Sequence, residues 1–236
     1  LNMALALSGC TNGIETGLSA PEGIPVTVFA EISPVTKSGE AISSDNGFDR
    51  TSFLSGDQIK VTRTKKASGT AASQSASYRY DGTSAWTVVG TSPVTLEPAV
   101  TYSAQFPADY SAINQFQTTS AAYLASNLLK TGDATSSDGT LDFTSSGKPF
   151  THVNSKLTLK FTVNRETTIA NDAVLVAAAG IRTAVSTNQT ITLYRPYPVD
   201  ASRKYEWCGI LRAVGGSAGT PATDLTVSLT CDGVTY

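Results

Sequence analysis

The chain has 236 residues, a net charge of −2 and only 15% charged side chains, against roughly 25% in an ordinary soluble domain. Its polarity comes largely from Ser and Thr, and no clustered Lys/Arg footprint exists, which excludes nucleic acid as a partner. The length allows one large or two small domains.

The first segment, Leu1–Leu7, is a short apolar run ending in Leu7-Ser8-Gly9-Cys10. It reads as the end of an export signal with a lipobox, Cys10 being the acylated residue. Acyl chains there would anchor the protein to the outer-membrane lipid at the cell surface. The chain reads as a fragment. It begins with Leu, lacks the basic segment expected before an apolar run, and ends where a further strand, Val234-Thr235-Tyr236, is starting.

Behind the signal, nearly every patterned stretch alternates with period two, the mark of half-buried strands. Val26, Val28, Ala30 and Ile32 share one face of a first strand over 24–33. A polar stretch, Ser33–Arg50, follows. Further strands are expected around Ile59 and Val61, over Val100–Phe106, Leu157–Val163 and Leu225–Cys231, with a short one at Thr140–Thr144. Gly-containing turns separate them. Arg63-Thr64-Lys65-Lys66 reads as a solvated strand end or hairpin loop. The one expected helix is Ser120–Lys130, with Ala121, Leu124, Leu128 and Leu129 as its stripe. A domain boundary is placed near Ser145–Lys148. Many short strands at this spacing imply an all-β sandwich or barrel.

Cys208 and Cys231 remain beyond Cys10. In an exported protein they are candidates for a disulfide, through a hairpin joining Tyr205–Val214 to Thr223–Cys231. The alternative is two small buried thiols. Catalytic patterns are lacking. The single histidine, His152, has no G-x-S-x-G partner and reads as structural. Asp133, Asp138 and Asp142 do not fit a calcium loop, and no zinc spacing exists, so neither metal nor cofactor is expected. Tyr78, Tyr80, Trp86 and Trp207 read as core aromatics in preference to a sugar platform.

Several segments together resemble the fimbrillin family of Bacteroidales surface lipoproteins, the subunits of type V pili. They are Phe53-Leu54-Ser55-Gly56-Asp57-Gln58-Ile59-Lys60-Val61, Tyr78 to Trp86, Tyr102–Pro107, Gln117–Leu129 and Phe150–Leu157, in that order behind the lipobox. The resemblance implies two tandem transthyretin-like β-sandwiches, over 11–145 and 146–236, the second incomplete. It implies no enzymatic activity. It also implies that an Arg/Lys-directed protease cuts in the loop over 34–52, where Lys37 and Arg50 are candidates, and that the first strand then leaves as a plug. A strand from another fimbrial subunit would fill the vacated groove. Adhesion to host or bacterial surface ligands would follow. The alternative function is a surface glycan-binding lipoprotein that never polymerises.

Overall fold

Period-two patterning decides which way a strand faces, and the expected faces are seen in the computed structural model. It describes residues 23–33, 50–64, 72–161, 174–178, 190–212, 226–231 and 234–235. The first strand, β1 (Thr27–Ala30), buries Val28 and exposes Thr27 and Phe29. After it come β2 (Gln58–Arg63), β3 (Gln74–Tyr80), β4 (Trp86–Val88) and β5 (Tyr102–Phe106), then a helix α1 (Ser120–Ala125). Next are β6 (Leu129–Lys130), β7 (Thr140–Phe143) and β8 (Thr151–His152).

Strands β4-β3-β2-β5-β6-β8 form one six-stranded sheet, antiparallel throughout. β1 and β7 form a second, parallel sheet. Ile59, Val61, Tyr78, Tyr102 and Ala104 of the first share a buried core with Val28, Leu141 and Phe143 of the second. The all-β expectation therefore holds, as two layers over one core. Phe53 closes one end. Its ring meets those of Trp86, Phe106 and Phe150 edge-on at 4.9, 5.4 and 5.3 Å, the separation favoured by aromatic quadrupoles.

The chain leaves this sheet at His152 and enters a new ladder at Asn154. There β9 (Asn154–Lys160) pairs with β12 (Glu206–Arg212), while β10 (Val174–Ala178), β11 (Ile191–Thr192), β13 (Thr226–Cys231) and β14 (Val234–Thr235) lie in the order β11-β10-β13-β14. Trp207, Ile191 and Leu193 are buried together, with Leu157, Leu159, Val227 and Leu229 packed on them. β12 is buried on both faces. Trp207 points to this core, whereas Cys208 and Ile210 pack on Tyr123 of α1. Gly209 lies between, and a Cβ there would come within 2.3 Å of the Leu193 side chain.

Three expectations need correction. The helix stops at Ala125, not Lys130. Ser126 folds its hydroxyl back onto the Ala122 carbonyl at 3.0 Å, and Leu129 is drawn into the six-stranded sheet beside Phe106. Local hydroxyl bonding of this kind competes with helix propagation. The hairpin joining Tyr205–Val214 to Thr223–Cys231 does not form, because β12 pairs with β9 and β13 with β10. Arg63 is not solvated. It is buried, and its guanidinium donates to the Thr95 carbonyl, the Thr95 hydroxyl and the Ala72 carbonyl.

Gln117 joins the two groups of strands. It is fully buried; its side-chain oxygen accepts from Ile210 N–H and its amide donates to Ile210 C=O, both at 2.7 Å. Its own N–H donates to the Thr192 carbonyl at 2.9 Å. The side chain thus stands in for a neighbouring strand along β12. Gln117→Leu would strand both Ile210 groups in the interior, and each buried orphan costs about 1–3 kcal/mol. Urea unfolding followed by tryptophan fluorescence should therefore show a loss of at least about 2 kcal/mol.

Candidate functional site

The first strand is built into the sandwich from both sides. Its opening residues pair with Val94–Leu96: Val26 N–H donates to Val94 C=O at 3.0 Å, and Leu96 N–H to Ile24 C=O at 2.7 Å. From Thr27 onward it changes partner and runs parallel to β7, in the register Thr27↔Thr140 to Ala30↔Phe143. The ladder continues past β7, with Ser33 N–H donating to Phe150 C=O at 2.8 Å and Phe150 N–H to Glu31 C=O at 2.9 Å. Val26, Val28 and Ile32 are buried in the shared core and Ala30 packs against it. These are the four residues that the sequence pattern puts on one face.

Two tyrosines of the opposite sheet brace the partner segment. The Tyr78 hydroxyl accepts from Val94 N–H at 3.0 Å and the Tyr102 hydroxyl from Glu97 N–H at 2.8 Å. Burial pushes both phenols above their ordinary pKa. On the other side, Asp142 faces Phe29 in the ladder. Its carboxyl lies below the usual carboxylate range, because the Thr144 hydroxyl and amide and the Ser146 hydroxyl donate to it.

Arg50 is the last residue of the polar stretch, and it is no ordinary solvated charge. Its side chain is 15% exposed and paired with the Asp57 carboxylate. Its Nε donates to the Ser52 carbonyl at 3.1 Å, and its guanidinium lies 5.2 Å from the centre of the Phe106 ring. Asp57 belongs to the turn that the sequence marks as Phe53-Leu54-Ser55-Gly56-Asp57. Gly56 holds φ +92°, which a side chain would strain, and Asp57 accepts from Leu54 N–H at 2.6 Å. Beside it an open groove of about 520 Å³ is lined by Asp57, Lys60, Ser77, Phe106 and Asp109. The burial of Arg50 could not be read from spacing, since its contacts depend on Phe106, far along the chain.

Cys10 and Lys37 lie outside the described residues. Cys208 is buried, with the Arg203 guanidinium 3.0 Å from its sulfur. Cys231 belongs to β13, in a different sheet. His152 stands on the edge strand β8, its Nδ1 3.0 Å from the Asn127 side-chain oxygen. Tyr78, Trp86 and Trp207 are buried in the cores, and Tyr80 stacks on Trp86 with ring centres 5.0 Å apart. Among the described residues no group of His, Cys, Asp and Glu could hold a metal, and no helix is long and apolar enough to cross a membrane.

No protein-family model matches the chain, and no curated protein matches it. Solved structures do. The chain is similar to a "putative cell adhesion protein" from Bacteroides ovatus ATCC 8483, at TM-score 0.58 and 14% identity over 90% of this chain and 84% of that one. A second protein so described, from Bacteroides fragilis NCTC 9343, gives 0.50 and 14% over 90% and 86%. A fimbrial protein from Bacteroides ovatus ATCC 8483 gives 0.45 and 16% over 90% of this chain, which spans 44% of that one. At such identities the likeness is one of fold.

Two outcomes follow from the geometry around β1. Ile32→Ala should destabilise the chain by about 2–5 kcal/mol, as core truncations do, while Phe29→Ala, on the exposed face, should cost well under that in the same denaturant titration. The lowered Asp142 pKa makes its contribution to stability complete above the unfolded value of about 3.9 and lost as pH falls through the folded value. Thr144→Val removes one donor, so acid unfolding of that variant should set in at higher pH than in the parent chain.

Proposed function

We propose that the chain is a structural subunit of a cell-surface fimbrium, exported as a lipoprotein through Cys10 and assembled by proteolysis-triggered strand exchange in support of adhesion. The observation that supports it best is the position of the first strand. Residues 24–33 supply part of a core and a run of ladder bonds, yet they join the rest of the sandwich through the sequence segment that ends at Arg50. A cut in that segment would free the strand to leave. Its departure would uncover the side chains around Val26, Val28 and Ile32 and the ladder groups of Val94–Leu96, β7 and Phe150. Exposed edges of this kind readily template pairing with another chain. Burying three such side chains again is worth on the order of several kcal/mol, so an incoming strand of the same pattern would be held firmly.

The fold shared with the two Bacteroides proteins described as "putative cell adhesion protein" supports a surface role of this type. Phe53 lies beyond Arg50, so its aromatic cluster would stay with the processed chain and keep that end of the core closed. The partners are then other fimbrial subunits, and the lipid surface through Cys10.

The test uses the full-length gene expressed without its lipid and an arginine-specific protease. We expect a new N-terminus at Thr51 by mass spectrometry and an SDS-resistant ladder on gels. A product cut at Arg50 that stays monomeric would sink the polymerising reading and favour a non-polymerising glycan-binding lipoprotein.

A further inference from the structure

We propose that Asp57 and Phe106 form a latch that withholds the Arg50–Thr51 bond from arginine-directed proteolysis, so that opening of this contact sets the rate of processing. The inference rests on the reading of Arg50 as the processing site.

An arginine-directed protease needs the guanidinium in its own acidic pocket and the main chain extended through the cut. Here neither condition is met. The Arg50 guanidinium already has a carboxylate partner, a carbonyl acceptor and a ring face, and its side chain is 15% exposed. Arginine suits such multiple engagement because its planar fork donates in several directions while its face stacks on aromatics. The bond from Arg50 Nε to Ser52 C=O, at 3.1 Å, also ties together residues on either side of the bond to be cut. The main chain itself bends at Ser52, so it is not extended through the cut.

Both arms of the latch grip both flanks. One carboxylate oxygen of Asp57, Oδ2, accepts from Arg50 before the cut and from Leu54 N–H after it. The Phe106 ring carries the Arg50 guanidinium on one side and meets Phe53 edge-on at 5.4 Å on the other. Asp57 is fixed in turn by the first sheet: its carbonyl accepts from Tyr80 N–H at 2.9 Å, and its N–H donates to Leu54 C=O at 3.0 Å. The scissile bond is therefore stapled to β3 and β5, and it becomes a substrate only when the staple opens. Where reclosing is faster than cutting, the cutting rate follows the open population.

The experiment compares cutting rates after Arg50 in the lipid-free full-length protein, its Asp57→Asn and Phe106→Leu variants, and a synthetic peptide of residues 45–55. Asp57→Asn keeps the size of the side chain and an oxygen for Leu54 N–H while removing the charge that holds Arg50. A lost charge-assisted hydrogen bond corresponds to cutting on the order of tenfold faster. Phe106→Leu should also be cut faster than the parent, and the peptide fastest of all. Cutting after Lys37 by a lysine-specific protease, in the same proteins, reports any general loosening. Equal rates for parent and Asp57→Asn, or equal acceleration at Lys37 and Arg50, would overturn the latch. So would a parent chain cut as fast as the peptide, or an Asp57→Asn chain left uncut while the peptide is consumed. Ladder formation reads the assembly proposal separately: fast cutting of the variant without a ladder sustains the latch and removes the polymer.

Discussion

The first core depends on a strand that the rest of its sandwich cannot replace. A six-stranded sheet presents an apolar face that must be covered. Among the described residues, the cover is β1, β7 and the segment Val94–Leu96, with β1 in the middle. It pairs antiparallel at its start and parallel thereafter, so it is the element that holds the other two to one another. Val28 and Ile32 belong to the buried core that both layers share. A sheet with that element drawn out would have two unpaired edges and an opened core at once.

Such an arrangement places much of the binding free energy of the first strand in contacts that a second strand could reproduce. Ladder bonds are blind to side-chain identity, and an alternating apolar pattern would satisfy the inner face. The opposite sheet is braced independently of β1. Tyr78 and Tyr102 reach across the core to the amides of Val94 and Glu97, and Phe53 closes the end with its aromatic neighbours. These contacts lie within residues 53–150, so they do not rely on the first strand's own atoms. The second group of strands is joined to the first by Gln117 and by Tyr123, which stacks on Tyr194 with ring centres 5.3 Å apart. Because β12 is buried on both faces, displacing either neighbour would expose it.

The motif residues of the resemblance find separate physical tasks. Phe53 fills the core, Gly56 takes a backbone conformation closed to other residues, and Asp57 ties the turn to Arg50 and Leu54. Ile59 and Val61 line the inner face of β2. His152 and Asn127 bond to one another beside the β6–β8 pairing.

The sequence by itself determined which residues face inward. Val26, Val28 and Ile32, Ile59 and Val61, and Tyr102 and Ala104 follow from period-two alternation, because successive side chains on a strand must point to opposite faces. It also marked the turns, through Gly and Asp at positions where the main chain reverses. Tertiary structure decided the partners. Nothing local in Thr27–Ala30 specifies a parallel mate in Thr140–Phe143, since ladder bonds are made by the main chain that all residues share. The same holds for β12, which pairs with β9 where a nearby hairpin looked adequate from composition. The helix ends before Leu128 and Leu129, which are buried, Leu129 as a strand residue paired with Phe106. Arg50 and Arg63 show the last point: nothing in the neighbouring residues announces that either is buried, and only the fold brings a carboxylate, carbonyls or an aromatic ring close enough to bury it.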